Sequence, residues 1–296
     1  MHLMEWLETD QHIAPPNGPG PAGFESPGGF LYHFHLDGNP FADSINPDFF
    51  YKTDAHEVAM IRMMLAVSHD ISLGLVTGVS GTGKTMLTQI ILRSLDPARY
   101  KAALILVTPG MSKTAFLKEI LSELELSPGN PHASAHDLLK RLGDEVIDLH
   151  DKKRKLVLLI DECHFLSAAS LHMLRTISNI EVPEQKLTTS LLFGERHFLK
   201  RLEHPGYESL RNRMYLRSEL PPLERKDTEQ FIKFRLLTAG STRDIFHDSC
   251  FDLIHQASQG IGRRINKLCM LALLEAFSRH KEQVDAGDIA ACSKTW

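Results

Sequence analysis

The sequence predicts an α/β fold, a mostly parallel sheet covered by helices on both faces and followed by an all-helical C-terminal domain. Three observations predict it. The run 156–160 is continuously apolar, as befits a strand buried on both faces, and 71–77 also reads as a buried strand. Stretches with apolar residues three and four apart separate such runs. Beyond Pro221-Pro222 only the helical spacing remains.

Taken in order, residues 1–33 read as a flexible tail. Proline and glycine crowd residues 14–29, and such a composition buries too little apolar surface to offset the entropy of ordering. Met4, Trp6 and Leu7 ahead of it read as a frayed terminus, with a short docking segment as the alternative. From Phe34 the chain turns globular, with an aromatic, turn-rich entry at 39–51. A helix follows, with Val58, Ala59, Ile61, Met64 and Leu65 assigned to its inner face. Strand 71–77, a helix over 86–92, strand 103–107, helices 113–124 and 135–150, strand 156–160, helix 168–180 and strands 189–193 and 214–216 complete an α/β domain over 34–221. Helices 225–238, 247–259, 263–278 and 285–292 form a helical domain over 222–296.

Composition sets bounds. The 296 residues are 43% hydrophobic and 24% charged, with a formal net charge of −4, so no global basic field points to nucleic acid. The four cysteines are scattered without a CxxC pair, which argues against a zinc site or a disulfide framework. His33 and His35 read as an exposed strand edge and not a metal site. No apolar run approaches the roughly 20 residues of a membrane span, and the start is not a secretory signal. A cytoplasmic protein is expected.

Residues Gly78, Val79, Ser80, Gly81, Thr82, Gly83, Lys84 and Thr85 spell the complete pattern GxxxxGK[ST], between a predicted strand and a helix that opens near Met86. That context lets backbone N–H groups wrap phosphates, adds the positive end of the helix dipole and brings the lysine to the outer phosphates. A P-loop nucleotide-binding fold is expected, with ATP as ligand. At the end of strand 156–160 stand Asp161 and Glu162. Asp161, with the Thr85 hydroxyl, is placed to hold Mg2+, and Glu162 to act as general base toward water. The basic run Lys152-Lys153-Arg154-Lys155 reads as a solvated loop, with a DNA-backbone contact as the functional alternative.

In this order the motifs resemble AAA+ ATPases of the general secretion pathway protein A type, within an origin-recognition-like clade that also resembles transposition-regulator ATPases. Asn39-Pro40-Phe41 with Asp48-Phe49-Phe50-Tyr51 resembles the family's entry motif. Residues 191–199 resemble the first-sensor segment, 210–213 with 220–223 the arginine-finger and domain-junction region, and 259–269 the second-sensor helix. The resemblance implies that Arg263 is a lid arginine on the outer phosphates. It implies that Arg213, with Arg211 as second choice, enters a neighbouring subunit's site. Phe49, Phe50 and Tyr51 are candidates for the base pocket. Glu195 stands where the family usually has glutamine, and Gly262 where it usually has proline. A carboxylate at 195 repels a terminal phosphate unless turned away or paired, for instance with Arg196.

The implied function is an ATP-binding, ATP-hydrolysing switch or assembly ATPase, slow as an isolated subunit, forming an ATP-dependent homo-oligomer, ring or filament. DNA, or envelope or transposition proteins, are the candidate further partners. A nucleotide-gated DNA- or protein-binding module with little turnover is the alternative. A DExH helicase, prompted by Asp161-Glu162-Cys163-His164, lacks the strands of a second motor domain after Pro222.

Overall fold

In the computed structural model, residues 29–127, 132–183 and 185–293 are described. The strands are β1 (Leu73–Gly78), β2 (Tyr100–Leu106), β3 (Lys155–Asp161), β4 (Glu181–Val182), β5 (Gln185–Lys186), β6 (Thr188–Gly194) and β7 (Leu216–Leu220). Five of them form one sheet in the order β2-β3-β6-β1-β7, with every neighbouring pair parallel. Strands β4 and β5 make a separate antiparallel hairpin.

The helices are α1 (Gly29–His33), α2 (Asp54–Ser68), α3 (Lys84–Ser94), α4 (Lys113–Glu123), α5 (Ala135–Asp151), α6 (Ala168–Ile177), α7 (His197–Leu202), α8 (Glu208–Arg213), α9 (Arg225–Thr238), α10 (Ser249–Ser258), α11 (Gly262–Ser278) and α12 (Ala286–Ser293). Strand β3 shows why the sheet needs cover on both faces. Leu156, Leu158 and Ile160 join one core with α4, α5 and α6, while Val157 and Leu159 join another with α2 and α3. Alternate residues of one strand thus feed two layers.

The expected inner face of α2 is corrected. The helix buries His56, Ala59, Met63, Ala66 and Val67, whereas Val58, Ile61 and Leu65 are 44%, 53% and 42% exposed. Close approach decides it. Met63 lies over Gly74 of β1, where an added Cβ would stand 2.8 Å from its sulfur. The small Ala59, as expected, and Ala66 let the helix sit down on the sheet with Met63 between them, and Val58, Ile61 and Leu65 turn outward.

A third core belongs to α9–α12, and it takes in Phe30, Phe34, Leu36 and Phe41 from the start of the described chain. Residues 29–33, expected in the tail, are instead the helix α1, and the following segment packs against the lid helices rather than the sheet. The docking candidates Met4, Trp6 and Leu7 lie outside the described residues. His33 is no strand edge: its Nε2 pairs with the Lys281 carbonyl at 2.7 Å, and its ring meets Phe34 and Phe277. The strand expected at 214–216 is β7, two residues further on, because 208–213 winds into α8. Among the described residues no helix is long and apolar enough to cross a membrane.

Candidate functional site

Strand β1 runs straight into the glycine loop. Gly81 and Gly83 have φ of +85° and +92°, a left-handed backbone that L side chains rarely adopt. At Gly78 a Cβ would stand 2.8 Å from the Leu220 carbonyl oxygen, so the loop has no room for a side chain there. Helix α3 then opens at Lys84. The Lys84 ammonium is buried and donates to the Gly78 and Val79 carbonyls at 3.2 and 3.0 Å, bridging the loop it belongs to. Burial pulls its pKa down, opposed by the nearby charges of Glu162, Glu195 and Asp161. From α2, His56 braces the loop: its Nε2–H donates to the Thr82 carbonyl at 3.0 Å, while its Nδ1 lies 2.7 Å from the Thr53 hydroxyl in a capping box.

The last residue of β3, Asp161, is buried, and one of its oxygens accepts from the Glu162 amide at 2.9 Å. Glu162 follows in a left-handed conformation, φ 54°. Burial, then the neighbouring Asp161 charge, raises its carboxyl pKa. Glu162 lines the same cleft as residues 80–86, with Asp161 beside it in sequence at the strand end. The Thr85 hydroxyl and the Asp161 carboxylate are hard oxygen donors, the set that suits Mg2+.

Glu195, just past β6, does not pair with Arg196. Arg196 is drawn away to Glu219, and Glu195 lies 3.4 Å from Nδ1 of His197. This corrects the expected partner.

The lid closes the cleft from the other side. Gly81 and Arg263 meet at the backbone, where the Arg263 amide donates to the Gly81 carbonyl at 3.3 Å. The Arg263 guanidinium donates to the Ser80 hydroxyl at 3.3 Å. Gly262 is packed close enough that a Cβ would stand 3.3 Å from the Gly81 oxygen. Phe49, Phe50 and Tyr51 all line the cleft, and Phe49 and Tyr51 also pack on the lid core.

Arg211 and Arg213 are not brought into this cleft. They end α8, where Arg211 donates to the Glu203 carbonyl at 3.4 Å and Arg213 to the Ser178 hydroxyl at 3.1 Å. The basic run is split as well. Lys155 is buried in β3 and holds the Val67 carbonyl and Asp70 at 2.9 and 2.8 Å, and Lys152 pairs with Asp148. Among the described residues no cluster of histidine, cysteine and carboxylate side chains forms a metal site.

Cleft residues that the sequence reading did not single out include His56, Phe231, Arg235 and Asn266. Arg235 carried a legible signal, a guanidinium on the apolar face of a helix between Ile232 and Leu236. It is buried, its pKa pushed down to about 10, and donates to the backbone carbonyls of Pro40, Phe49 and Ala42. It lies over the rings of Phe49 and Phe231. His56 and Asn266 gave no pattern that singles them out.

A five-stranded parallel sheet with the glycine loop after β1, the acidic pair after β3 and a helical lid touching that loop defines a P-loop protein of the AAA+ class. Residues 68–202, just under half of the chain, match the family described as AAA domain. It is 31% identical over 261 residues to General secretion pathway protein A of Aeromonas hydrophila, a match covering 88% of this chain and 47% of that protein. The chain therefore spans about half the length of this curated relative. In fold it is similar to the Aeropyrum pernix ORC2 protein in its ADPNP–ADP complexes, with TM-score 0.65 at 16% identity over 87% of this chain and 71% of that one. It is also similar to the Aeropyrum pernix ORC1 protein in complex with DNA, with TM-score 0.65 at 18% identity over 86% and 68%.

Proposed function

We propose that this chain binds ATP with Mg2+ in the cleft between loop 78–85 and the lid, hydrolyses it slowly, and uses the bound state to assemble with further copies of itself. The observation that carries the reading is the contact of Arg263 with Ser80 and Gly81, which ties the lid to the phosphate loop. A ligand that fills the loop with phosphates changes this contact directly, so nucleotide state and lid position are coupled.

The roles follow from the residues. Backbone N–H groups of 80–86 and the start of α3 hold the phosphates, and the Lys84 ammonium exchanges its carbonyl partners for phosphate oxygens. Thr85 and Asp161 would hold Mg2+, which neutralises phosphate charge when bound. Glu162 takes the proton of the attacking water, a task favoured by its raised pKa. Arg263 meets the outer phosphates from the lid. Arg213, or Arg211, completes a neighbouring copy's site. Neither lines its own cleft, which supports a role in trans, and an arginine supplied this way is worth about 10³–10⁵ in rate.

A second reading, a nucleotide-gated module with little turnover, is favoured by the acidic surroundings of the base. Glu195 and Asp161 both raise the Glu162 pKa, and that negative charge also opposes a terminal phosphate. DNA and protein partners are the candidate cargo in either reading. The relative's name concerns secretion, and one fold neighbour is bound to DNA.

Sizing the protein with ATP, ADP or neither, with and without DNA, tests the assembly reading. ATP alone is expected to shift the mass upward. Glu162→Gln is expected to keep ATP binding, lose hydrolysis and trap the ATP-loaded oligomer. Parental turnover by Glu162→Gln removes the assignment of the base, and an unchanged mass with ATP removes the switch.

A further inference from the structure

The turn after β3 holds a buried histidine that the reading above leaves without a task. His164 sits in the short 3-10 turn Cys163–Phe165, and its side chain is 4% exposed. Its Nδ1 is buried with no hydrogen-bond partner. That atom faces Oε2 of Glu162 at 3.2 Å, near enough in distance but off the line of a good hydrogen bond. Leaving a buried ring nitrogen unpaired is unfavourable, so the placement calls for a compensating role.

The ring is held from several sides. Phe165 lies 4.0 Å away in a tilted stack, and His197 meets it edge-on at 4.9 Å. Glu195 in turn stands 3.4 Å from His197. The end of β6 is closed onto this turn, since a Cβ on Gly194 would fall 2.6 Å from the Cys163 sulfur. Arg201 fixes the chain just beyond by donating to the Leu166 carbonyl at 2.6 Å. The polar group left in front of Nδ1 is the Glu162 carboxylate.

We propose that His164 is the positioning residue of Glu162, donating from Nδ1–H to one carboxylate oxygen and leaving the other to accept the proton of the attacking water. This rests on Glu162 being the base. The arrangement follows the general logic in which a base is itself oriented by a third group. Such bonds are often long or misaligned in the free protein and tighten when the substrate closes the site. Burial holds the His164 pKa down, which keeps the ring neutral with a single N–H to give. His197, backed by Glu195, supports the ring. That assigns the Glu195 carboxylate to the base's scaffold.

The test compares His164→Phe, His164→Asn and Glu162→Gln in the full chain, by ATP turnover, ATP binding and thermal melting. A misplaced base costs about 10–100-fold in rate. His164→Phe is therefore expected to lower kcat by about that factor with KM and melting temperature unchanged. His164→Asn, whose amide places a donor near the Nδ1 position, is expected to recover most of the rate. If His164→Phe proves unstable, His164→Gln replaces it, since its amide reaches toward Nε2 and is expected to stay slow while His164→Asn is fast. Parental kcat in His164→Phe, or equal slowness of folded His164→Asn and His164→Phe, overturns the positioning role while Glu162→Gln stays inactive. A fully active Glu162→Gln overturns the base assignment, and the positioning role with it.

Discussion

The two ends of the cleft are built by different means. At the phosphate end, eight consecutive residues running from the end of β1 into the first turn of α3 do the work largely with their own backbone, and the strand that carries them is buried on both faces. At the other end, Phe49 and Tyr51 come from the entry segment and Phe231 and Arg235 from the lid, so that pairs of neighbours lie some 180 or more positions apart in the chain. One end is a local motif and the other a tertiary assembly. The first depends on backbone conformation and charge, the second on one buried guanidinium that gathers three carbonyls.

The contrast can be broken with two probes, ATP and inorganic tripolyphosphate, because on the proposed reading only ATP reaches both ends. Lys84→Ala has the largest expected effect. It removes the buried cation that the proposed function assigns to the phosphates, and charge-assisted hydrogen bonds of this kind are worth about 1.5–3 kcal/mol. Affinity for both probes is expected to fall by roughly 10–150-fold in calorimetric titration. A loss confined to ATP would show that the lysine does not serve the phosphates.

Arg235→Met comes next. The carbonyls of Pro40, Ala42 and Phe49 lose their donor, and the entry segment loses its tie to α9. Stability is expected to drop by about 2–4 kcal/mol, seen as a lower denaturation midpoint. ATP affinity is expected to fall about tenfold while tripolyphosphate binding stays within about twofold. Equal losses for the two probes would mean that the ends are not separable.

The same division explains what the sequence made legible. The sheet and the phosphate end could be read because a strand buried on two faces and a glycine loop each leave a signature within ten residues. Strands β1, β3 and β6, buried throughout, were found for that reason, and the helices after Pro222 by their three-and-four apolar spacing. The inner face of α2 was misread because apolar spacing does not say which apolar stripe is buried. Gly74 and the two alanines settle that by allowing close approach, and it is Met63 that goes in. Residues 29–33 were assigned to the tail and 34–41 to the sheet domain because sequence proximity hid their packing on helices two hundred residues later. Arg235 was passed over, although its place on the apolar face marked it. His164 stood inside a motif already assigned, where nothing in the pattern shows that its ring is buried.

Tyr51→Phe is the smallest change and the sharpest test of what the base end is made of. The Tyr51 hydroxyl donates to Asp227 at 3.5 Å, a long bond near the cleft rim. Its ring meets Phe231 edge-on at 6.2 Å and Phe234 at 5.9 Å, contacts that phenylalanine keeps. A bond of that length contributes little, so stability is expected to change by no more than about 0.5 kcal/mol. Binding of both probes is expected to stay within about twofold, because the ring and not the hydroxyl shapes the wall. A tenfold loss for ATP with tripolyphosphate unaffected would place the hydroxyl on the nucleoside itself. The base end would then recognise its ligand by polar contacts, as the phosphate end does, and the distinction between the two would rest on chain connectivity alone.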